Sequence, residues 1–354
     1  MPEKAIMDDT DSYLEFFGLR ENPFAPTADP AYFYAGREHR ECLFRLWSSI
    51  DSRHGIVVVL GNYGTGKTTL LRKLITGMSA APGAYVTAVV GSPIPSWTSF
   101  SLLESIVAQF GLAPAEHSFV AYMEALNQHL LDNRDRICTL IIDDAQNINK
   151  RGQMELLRLV QNLETPQSKL LNLVLFAQLE WARVLRAAPN FEQRINVTYT
   201  LEPIQPNEIR DFVEFRLHQA GARPGEGPEF DETALQAIHA YSEGSPRVIV
   251  TLCRNVLLVA AQLRNRRVTH TMVLHTIEKT TLPDTEKRTR VAAVIAKTPK
   301  KAPIAKMPAV ESAGAGALTS AGRAAQDRIS RDERAAQLLL NAAQAREDEG
   351  ASAE

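Results

Sequence analysis

The chain has 354 residues, 45% of them hydrophobic and 23% charged, with a formal net charge of −2. That length allows two domains and a tail, that apolar fraction allows a sizeable core, and so even a charge balance argues for neither nucleic acid nor an anionic membrane. Its three cysteines, Cys42, Cys138 and Cys253, stand far apart without a CxxC pair, which gives no disulfide or metal framework and fits a reducing, cytoplasmic compartment.

Met1 to Tyr13 is charged throughout and lacks the apolar run of a secretory signal. Residues 1–36 read as an N-terminal extended, aromatic segment. It carries Phe16, Phe17, Phe24, Tyr32, Phe33 and Tyr34 among Pro23, Pro26 and Pro30, and proline disfavours a regular helix. A helix is predicted from Arg37 to about Arg53, with apolar residues at Leu43, Leu46, Trp47 and Ile50.

An alternation follows. Ile56–Leu60, a short apolar run ending at a glycine, predicts a buried strand, and Thr68 to about Met78 a helix. Ala84–Val90 predicts the second strand, then Phe100–Phe110 and Phe119–Leu131 helices. Ile137–Ile142 predicts the third strand, Gln153–Leu163 a helix and Leu171–Ala177 the fourth strand. Continuous apolar strands separated by helices predict an α/β domain over 37–202, its parallel sheet sandwiched by helices.

The pattern changes at Glu202–Pro206. From there only helices are predicted, over Glu208–Ala220, Asp231–Ser242, Pro246–Leu263 and Thr269 to about Lys279, giving an all-helical lid domain at 203–281. Asp231 and Thr269 are the expected N-caps, and Pro246 suits a helix start. The longest apolar stretch, Val248–Leu263, is interrupted by Cys253-Arg254-Asn255 and falls short of a membrane span, so no transmembrane segment is expected. Residues 282–354 read as a mostly disordered basic and alanine-rich tail, with a possible helix over Arg323–Glu349.

Gly61-Asn62-Tyr63-Gly64-Thr65-Gly66-Lys67-Thr68 fits GxxxxGK[ST], and Thr69 follows it. The motif leaves a predicted strand and opens a predicted helix, as phosphate binding requires. The glycines let backbone N–H groups turn toward β- and γ-phosphates, and the helix adds its positive end. Lys67 supplies a mobile charge to those phosphates and Thr68 a hydroxyl to Mg²⁺. Asp143 and Asp144 end the third strand. A carboxylate there needs a partner, and Mg²⁺ near Thr68 supplies one for Asp143, through water. Asp144 is then placed to orient the attacking water. A pair of aspartates alone reads better as a solvated turn; their place after a phosphate loop, on a matching strand, reverses that reading. Spacing alone leaves Gln178, just past the fourth strand, as either a phosphate sensor or an exposed loop residue. Arg194 and Arg247 read as transition-state cations or as surface residues.

At this point the chain resembles the ExeA/GspA-type AAA+ ATPases of bacterial secretion and pilus systems, relatives of the TniB/TnsC transposition ATPases. The resemblance covers about residues 12–280. It rests on Tyr13–Leu19, Asn22-Pro23-Phe24 and Tyr32-Phe33-Tyr34 before the phosphate loop, and on Asp143-Asp144-Ala145-Gln146, matching a DEAQ box. It also rests on Phe176–Glu180, similar to a GQPEL sensor 1 element, on Gln193-Arg194-Ile195, and on Gly244-Ser245-Pro246-Arg247, similar to a GxPR sensor 2 element. The resemblance implies a P-loop AAA+ fold and Mg²⁺-dependent ATP hydrolysis by a homo-oligomer. Gln178 becomes sensor 1, Arg247 reaches the γ-phosphate of its own nucleotide, and Arg194 reaches a neighbour's site. Tyr34 and nearby residues belong with an adenine pocket. Asp144 stands where the family has Glu, and Ala177 and Leu179 replace Gly and Pro.

Three roles share these residues. One is an ATPase that drives or regulates assembly of a secretion, pilus or envelope export system, with a protein partner. The second is a transposition-type ATPase on double-stranded DNA, with the basic residues of Leu282–Met307 against phosphates. The third is a slow nucleotide-dependent switch, with Asp144 a methylene too short for fast turnover.

Overall fold

The computed structural model describes residues 9–297 apart from 28, 167, 224 and 283. Five strands, β1 (Ile56–Gly61), β2 (Tyr85–Val90), β3 (Ile137–Ile142), β4 (Leu171–Ala177) and β5 (Ile195–Leu201), pair in parallel in the order β2-β3-β4-β1-β5. Every residue of β1 and β4 is buried, because helices cover both faces of the sheet centre. The edge strand β5 was not among the expected strands. Its Ile195, Val197, Tyr199 and Leu201 alternate with Asn196, Thr198 and Thr200, the period of a half-covered edge and not of a continuous apolar run.

Helix α1 (Asp9–Phe17) precedes the sheet domain, and α2 (Arg37–Asp51) and α3 (Lys67–Ser79) lie on one sheet face. There Cys42, Leu46, Leu70 and Leu74 pack on Val57, Val59, Val174 and Phe176. Helices α4 (Ser99–Gln109), α5 (Phe119–Asp132) and α6 (Arg151–Gln161) cover the other face, where Leu103, Leu130 and Leu157 meet Val58, Leu140 and Leu173. Thr98 and Ser118 cap α4 and α5 by accepting the N–H of Ser101 and Ala121. Two short helices, α7 (Ala182–Arg186) and α8 (Pro189–Glu192), lead into β5.

The lid consists of α9 (Ile209–Gln219), β6 (Glu229–Phe230), α10 (Glu232–Ser242), α11 (Pro246–Gln262), β7 (Arg267–Val268), α12 (His270–Thr280) and α13 (Thr285–Lys297). It is helical with one addition, the two-residue parallel pair β6–β7. Asp231 accepts the Ala234 N–H at 2.7 Å as the cap of α10. Thr269 occupies the cap position of α12, but its hydroxyl meets Thr271 and not the backbone.

Two expectations are corrected. The N-terminal segment is not extended throughout: α1 forms in a stretch without proline between Pro2 and Pro23, and it ends at Gly18, whose φ of +65° suits a helix C-terminus. The basic stretch after Leu282 does not begin in disorder. Val291, Val294 and Ile295 place an apolar stripe on α13, Val291 is fully buried against the lid, and Arg290 pairs with Glu243. Proline and lysine content masked that stripe. Residues 298–354, and with them the helix expected over Arg323–Glu349, lie outside the described residues.

The N-terminal segment completes the lid core, where Tyr13, Phe17, Leu19 and Phe24 join Phe212, Phe230 and Val250. Arg216 of α9 fastens it. Its buried guanidinium donates to the carbonyls of Pro23 at 2.8 Å, Tyr32 at 3.2 Å and Ala25 at 3.5 Å. Burial lowers its pKa to about 10, which leaves it charged at neutral pH. Among the described residues no helix is long and apolar enough to cross a membrane.

Candidate functional site

Parallel strands present their carboxyl ends along one edge of the sheet. The chain leaves β1 for the far strand β2 and returns through β3 and β4, so a crevice opens at that edge. A cleft of about 770 Å³ lies there between sheet and lid. Of the expected site residues, Tyr63, Gly64, Gly66, Lys67, Thr68, Thr69, Asp143, Asp144, Gln178 and Arg247 line it.

The loop after β1 turns through Gly64 at φ +74° and Gly66 at φ +95°, which a side chain rarely adopts. A Cβ on Gly64 would also lie 2.6 Å from Ser245 Oγ. Behind the cleft, buried Thr65 donates through Oγ1 to the Asn62 carbonyl at 2.9 Å. Lys67 Nζ donates to the carbonyls of Gly61 at 2.8 Å and Asn62 at 2.9 Å. Burial pushes this ammonium below its ordinary pKa, while Asp143, Asp144 and Glu180 act the other way.

Asp143 is buried and accepts from Thr68 Oγ1 at 2.9 Å and from the Asp144 N–H at 3.0 Å. Burial raises its pKa above the ordinary carboxylate value; the two hydrogen bonds lower it, and the Asp144 charge adds to the rise. A buried carboxylate beside a hydroxyl, facing a lysine, fits a hard cation. Thr68 and Asp143 would hold Mg²⁺. Among the described residues no group of three or more His, Cys, Asp or Glu could hold a metal alone, so such an ion would need phosphate oxygens and water as further ligands.

Asp144 adopts a left-handed backbone, φ +50°, which Asp tolerates better than most residues. Its Oδ1 accepts from Gln146 Nε2 at 2.9 Å and its Oδ2 from Ser92 Oγ at 3.3 Å. Gln146 Oε1 in turn accepts the N–H of Gln178 at 3.3 Å, linking the acid to the end of β4. Gln178 is buried at the cleft.

Arg247 stands in the first turn of α11. Its N–H donates to the Gly64 carbonyl at 3.3 Å, beside Ser245 Oγ at 3.4 Å, and its exposed side chain lines the cleft. Arg194 is not brought to this site. It precedes Ile195, which pairs with Ile56 at the far end of β1, about 17 Å along the strand from Gly61. It lies near Glu155 and Glu164 instead.

The sequence did not single out His39, Ser92 or Arg216, and of the apolar end of the cleft it pointed only to Tyr34 and its neighbours. Tyr34, Ile204, Phe212 and Val250 line that end, with Tyr34 edge-on to Phe212 at 5.7 Å. Burial, with Asp211 and Glu208 adding, pushes the Tyr34 hydroxyl up to about 12. The signal for His39 was a polar residue on the buried face of α2, in register with Cys42 and Leu46.

A lysine-bearing glycine loop after the inner strand β1 of a sheet in this order, closed by a helical lid, defines a nucleotide-binding P-loop ATPase of the AAA+ class. A family model described as an AAA domain matches residues 50–185. General secretion pathway protein A of Aeromonas hydrophila is 33% identical over 263 residues, 73% of this chain and 46% of that protein. The chain is an AAA+ ATPase of the ExeA/GspA type, spanning about half the length of that relative. Among solved structures, Cdc6p of Pyrobaculum aerophilum is similar at a TM-score of 0.55 and 19% identity, covering 78% of this chain and 74% of that one. The Aeropyrum pernix ORC2 protein, in ADPNP-ADP complexes, is similar at 0.51 and 18%, covering 70% and 68%. At these identities the likeness is one of fold.

Proposed function

We propose that this ATPase hydrolyses Mg-ATP to ADP and phosphate as a cytoplasmic homo-oligomer, and that it drives or regulates assembly of a secretion, pilus or envelope export system through a protein partner. The observation that carries the hydrolytic part is the convergence of Lys67, Thr68, Asp143, Asp144 and Arg247 on one cleft. Lys67 exchanges the loop carbonyls for β- and γ-phosphate oxygens, and the N–H groups at the start of α3 face the same phosphates. Thr68 and Asp143 would hold Mg²⁺, which would supply neutralisation of developing phosphate charge. Asp144, fixed by Gln146 and Ser92, accepts a hydrogen bond from the attacking water and polarises it. Gln178 senses the γ-phosphate, and Arg247 stabilises it from the lid. Arg194, at the opposite end of β1, serves a neighbouring subunit's site, which is why the active form is an oligomer. The apolar end beside Tyr34 takes the adenine.

The assembly role is supported by the likeness to General secretion pathway protein A. A DNA-associated role depends on the basic residues after Leu282. Within α13, Lys287 lies over the Tyr241 ring, Arg288 reaches the Glu278 carbonyl and Arg290 pairs with Glu243 and Glu286. These three cations are thus already paired within the lid, which lends some support to a protein partner over DNA at α13.

Steady-state Mg-ATP hydrolysis with and without double-stranded DNA, at low and moderate salt, tests the choice. Turnover indifferent to DNA is expected. Stimulation that fades with salt would overturn the assembly reading in favour of the DNA one.

A further inference from the structure

His39 lies on the buried face of α2, 26 residues before Thr65 in sequence, and its Nε2 stands 3.2 Å from the Thr65 carbonyl oxygen. A carbonyl only accepts, so this contact requires the tautomer with hydrogen on Nε2. Phe33 meets the imidazole edge-on at 5.5 Å and fixes the ring plane. The loop lies directly against the ring: a Cβ on Gly66 would stand 3.0 Å from Nε2.

The Thr65 carbonyl and the Gly66 N–H belong to one planar trans peptide, so they point in opposite directions. Whatever holds the carbonyl therefore aims the N–H. Gly66, at φ +95°, has no side chain to prevent this peptide from flipping. The buried histidine supplies the restraint that the glycine lacks. Burial keeps the imidazole below its ordinary pKa, against the Thr65 carbonyl and the Glu208 and Glu38 carboxylates, so the ring is a neutral donor at pH 7.

We propose that His39 is a positioning residue for diphosphate recognition: by holding the Thr65 carbonyl, it sets the Thr65–Gly66 peptide in the orientation that offers the Gly66 N–H to a phosphate oxygen. This rests on the reading of the cleft as a nucleotide site. The contact is with the ground-state phosphates, so its loss changes affinity and spares kcat. ADP and inorganic pyrophosphate, which share the diphosphate, are affected alike.

The test is calorimetric binding of ADP and of pyrophosphate, each with Mg²⁺, to wild type, His39→Phe, His39→Gln and Lys67→Ala, together with KM and kcat for ATP. His39→Phe keeps the ring and removes the donor; His39→Gln returns an N–H near the Nε2 position. The expected result for His39→Phe is a loss of about tenfold for both ligands and in KM, the scale of one hydrogen bond, with kcat within about twofold and affinity restored by His39→Gln. Unchanged binding by His39→Phe, or a loss that His39→Gln does not restore, overturns the proposal. If Lys67→Ala loses binding while His39→Phe keeps it, only the His39 role falls. Wild-type affinity in Lys67→Ala removes the nucleotide reading itself, and this proposal with it.

Discussion

Thr68 donates its hydroxyl hydrogen to the Asp143 carboxylate, Oγ1 to Oδ2 at 2.9 Å, across 75 residues of chain. The two residues follow β1 and β3, strands that do not touch, because β4 runs between them. Their bond therefore spans the crevice at the carboxyl edge of the sheet and brings the phosphate loop and the acid pair into one site. It also shows how the two acids divide. Asp143 is buried and bound to the helix that the phosphate loop opens; Asp144 is held from the side by Gln146 and Ser92.

That division predicts a clean separation for Asp144→Asn. The amide keeps the shape and no longer draws a proton from water. ADP and ATP affinity should stay within about threefold, because the phosphate contacts are untouched, while kcat falls by about 10²–10⁴. Binding calorimetry and steady-state kinetics on one preparation check both halves.

Arg194 sits at the end of β1 remote from the phosphate loop of its own chain. Arg194→Ala and Lys67→Ala should each be inactive alone, yet recover turnover when mixed. A Lys67→Ala subunit still offers its arginine to the intact site of an Arg194→Ala neighbour. Mixtures that form oligomers and stay inactive would remove the trans role. Arginines acting in this way are worth about 10³–10⁵ in rate.

Arg216→Ala should destabilise the fold without touching the phosphate loop. It strips donors from the carbonyls of Pro23, Tyr32 and Ala25. The expected cost is about 3 kcal/mol, read by urea unfolding, with new protease cleavage between Asn22 and Tyr34. Arg216→Lys, which keeps one donor group, should fall between the two.

Stability should also depend on His39 through pH. Burial lowers its pKa in the fold from the ordinary 6.5, against the pull of Glu208 and Glu38. The unfolded chain therefore binds the proton first, and stability falls as pH drops through 6.5 toward the folded value. Wild type should lose more stability than His39→Phe between about pH 7 and pH 5, by at most about 1.4 kcal/mol per pH unit. Equal losses in urea unfolding at the two pH values would contradict this.

The phosphate site was legible because its signal is local: a strand, a glycine loop and a helix occur within consecutive residues, and β3 and β4 announce themselves as unbroken apolar runs. β5 lacks that signal because an edge strand alternates: Ile195, Val197 and Tyr199 are separated by polar residues and form no apolar run. α13 was hidden by its lysines and arginines, although Val291, Val294 and Ile295 carry a helical stripe. The partners of His39 and Arg216 are hidden for another reason, although the place of His39 on the buried face of α2 is itself a signal. Each side chain acts on backbone carbonyls far along the chain, Thr65 for one and Pro23 for the other, and a carbonyl leaves no mark in a sequence. Arg194 could be named from the resemblance, but only the register of β5 on β1 separates it from its own site.

The most direct test is phosphate release from ATP by wild type and Lys67→Ala, side by side, with Mg²⁺ and with a chelator. Lys67 contributes a charge that the cleft supplies nowhere else in the phosphate loop. Wild type should release phosphate only with Mg²⁺, and Lys67→Ala should fall to background with its fold intact. Equal release by the two proteins would contradict the assignment of this cleft as the site of hydrolysis.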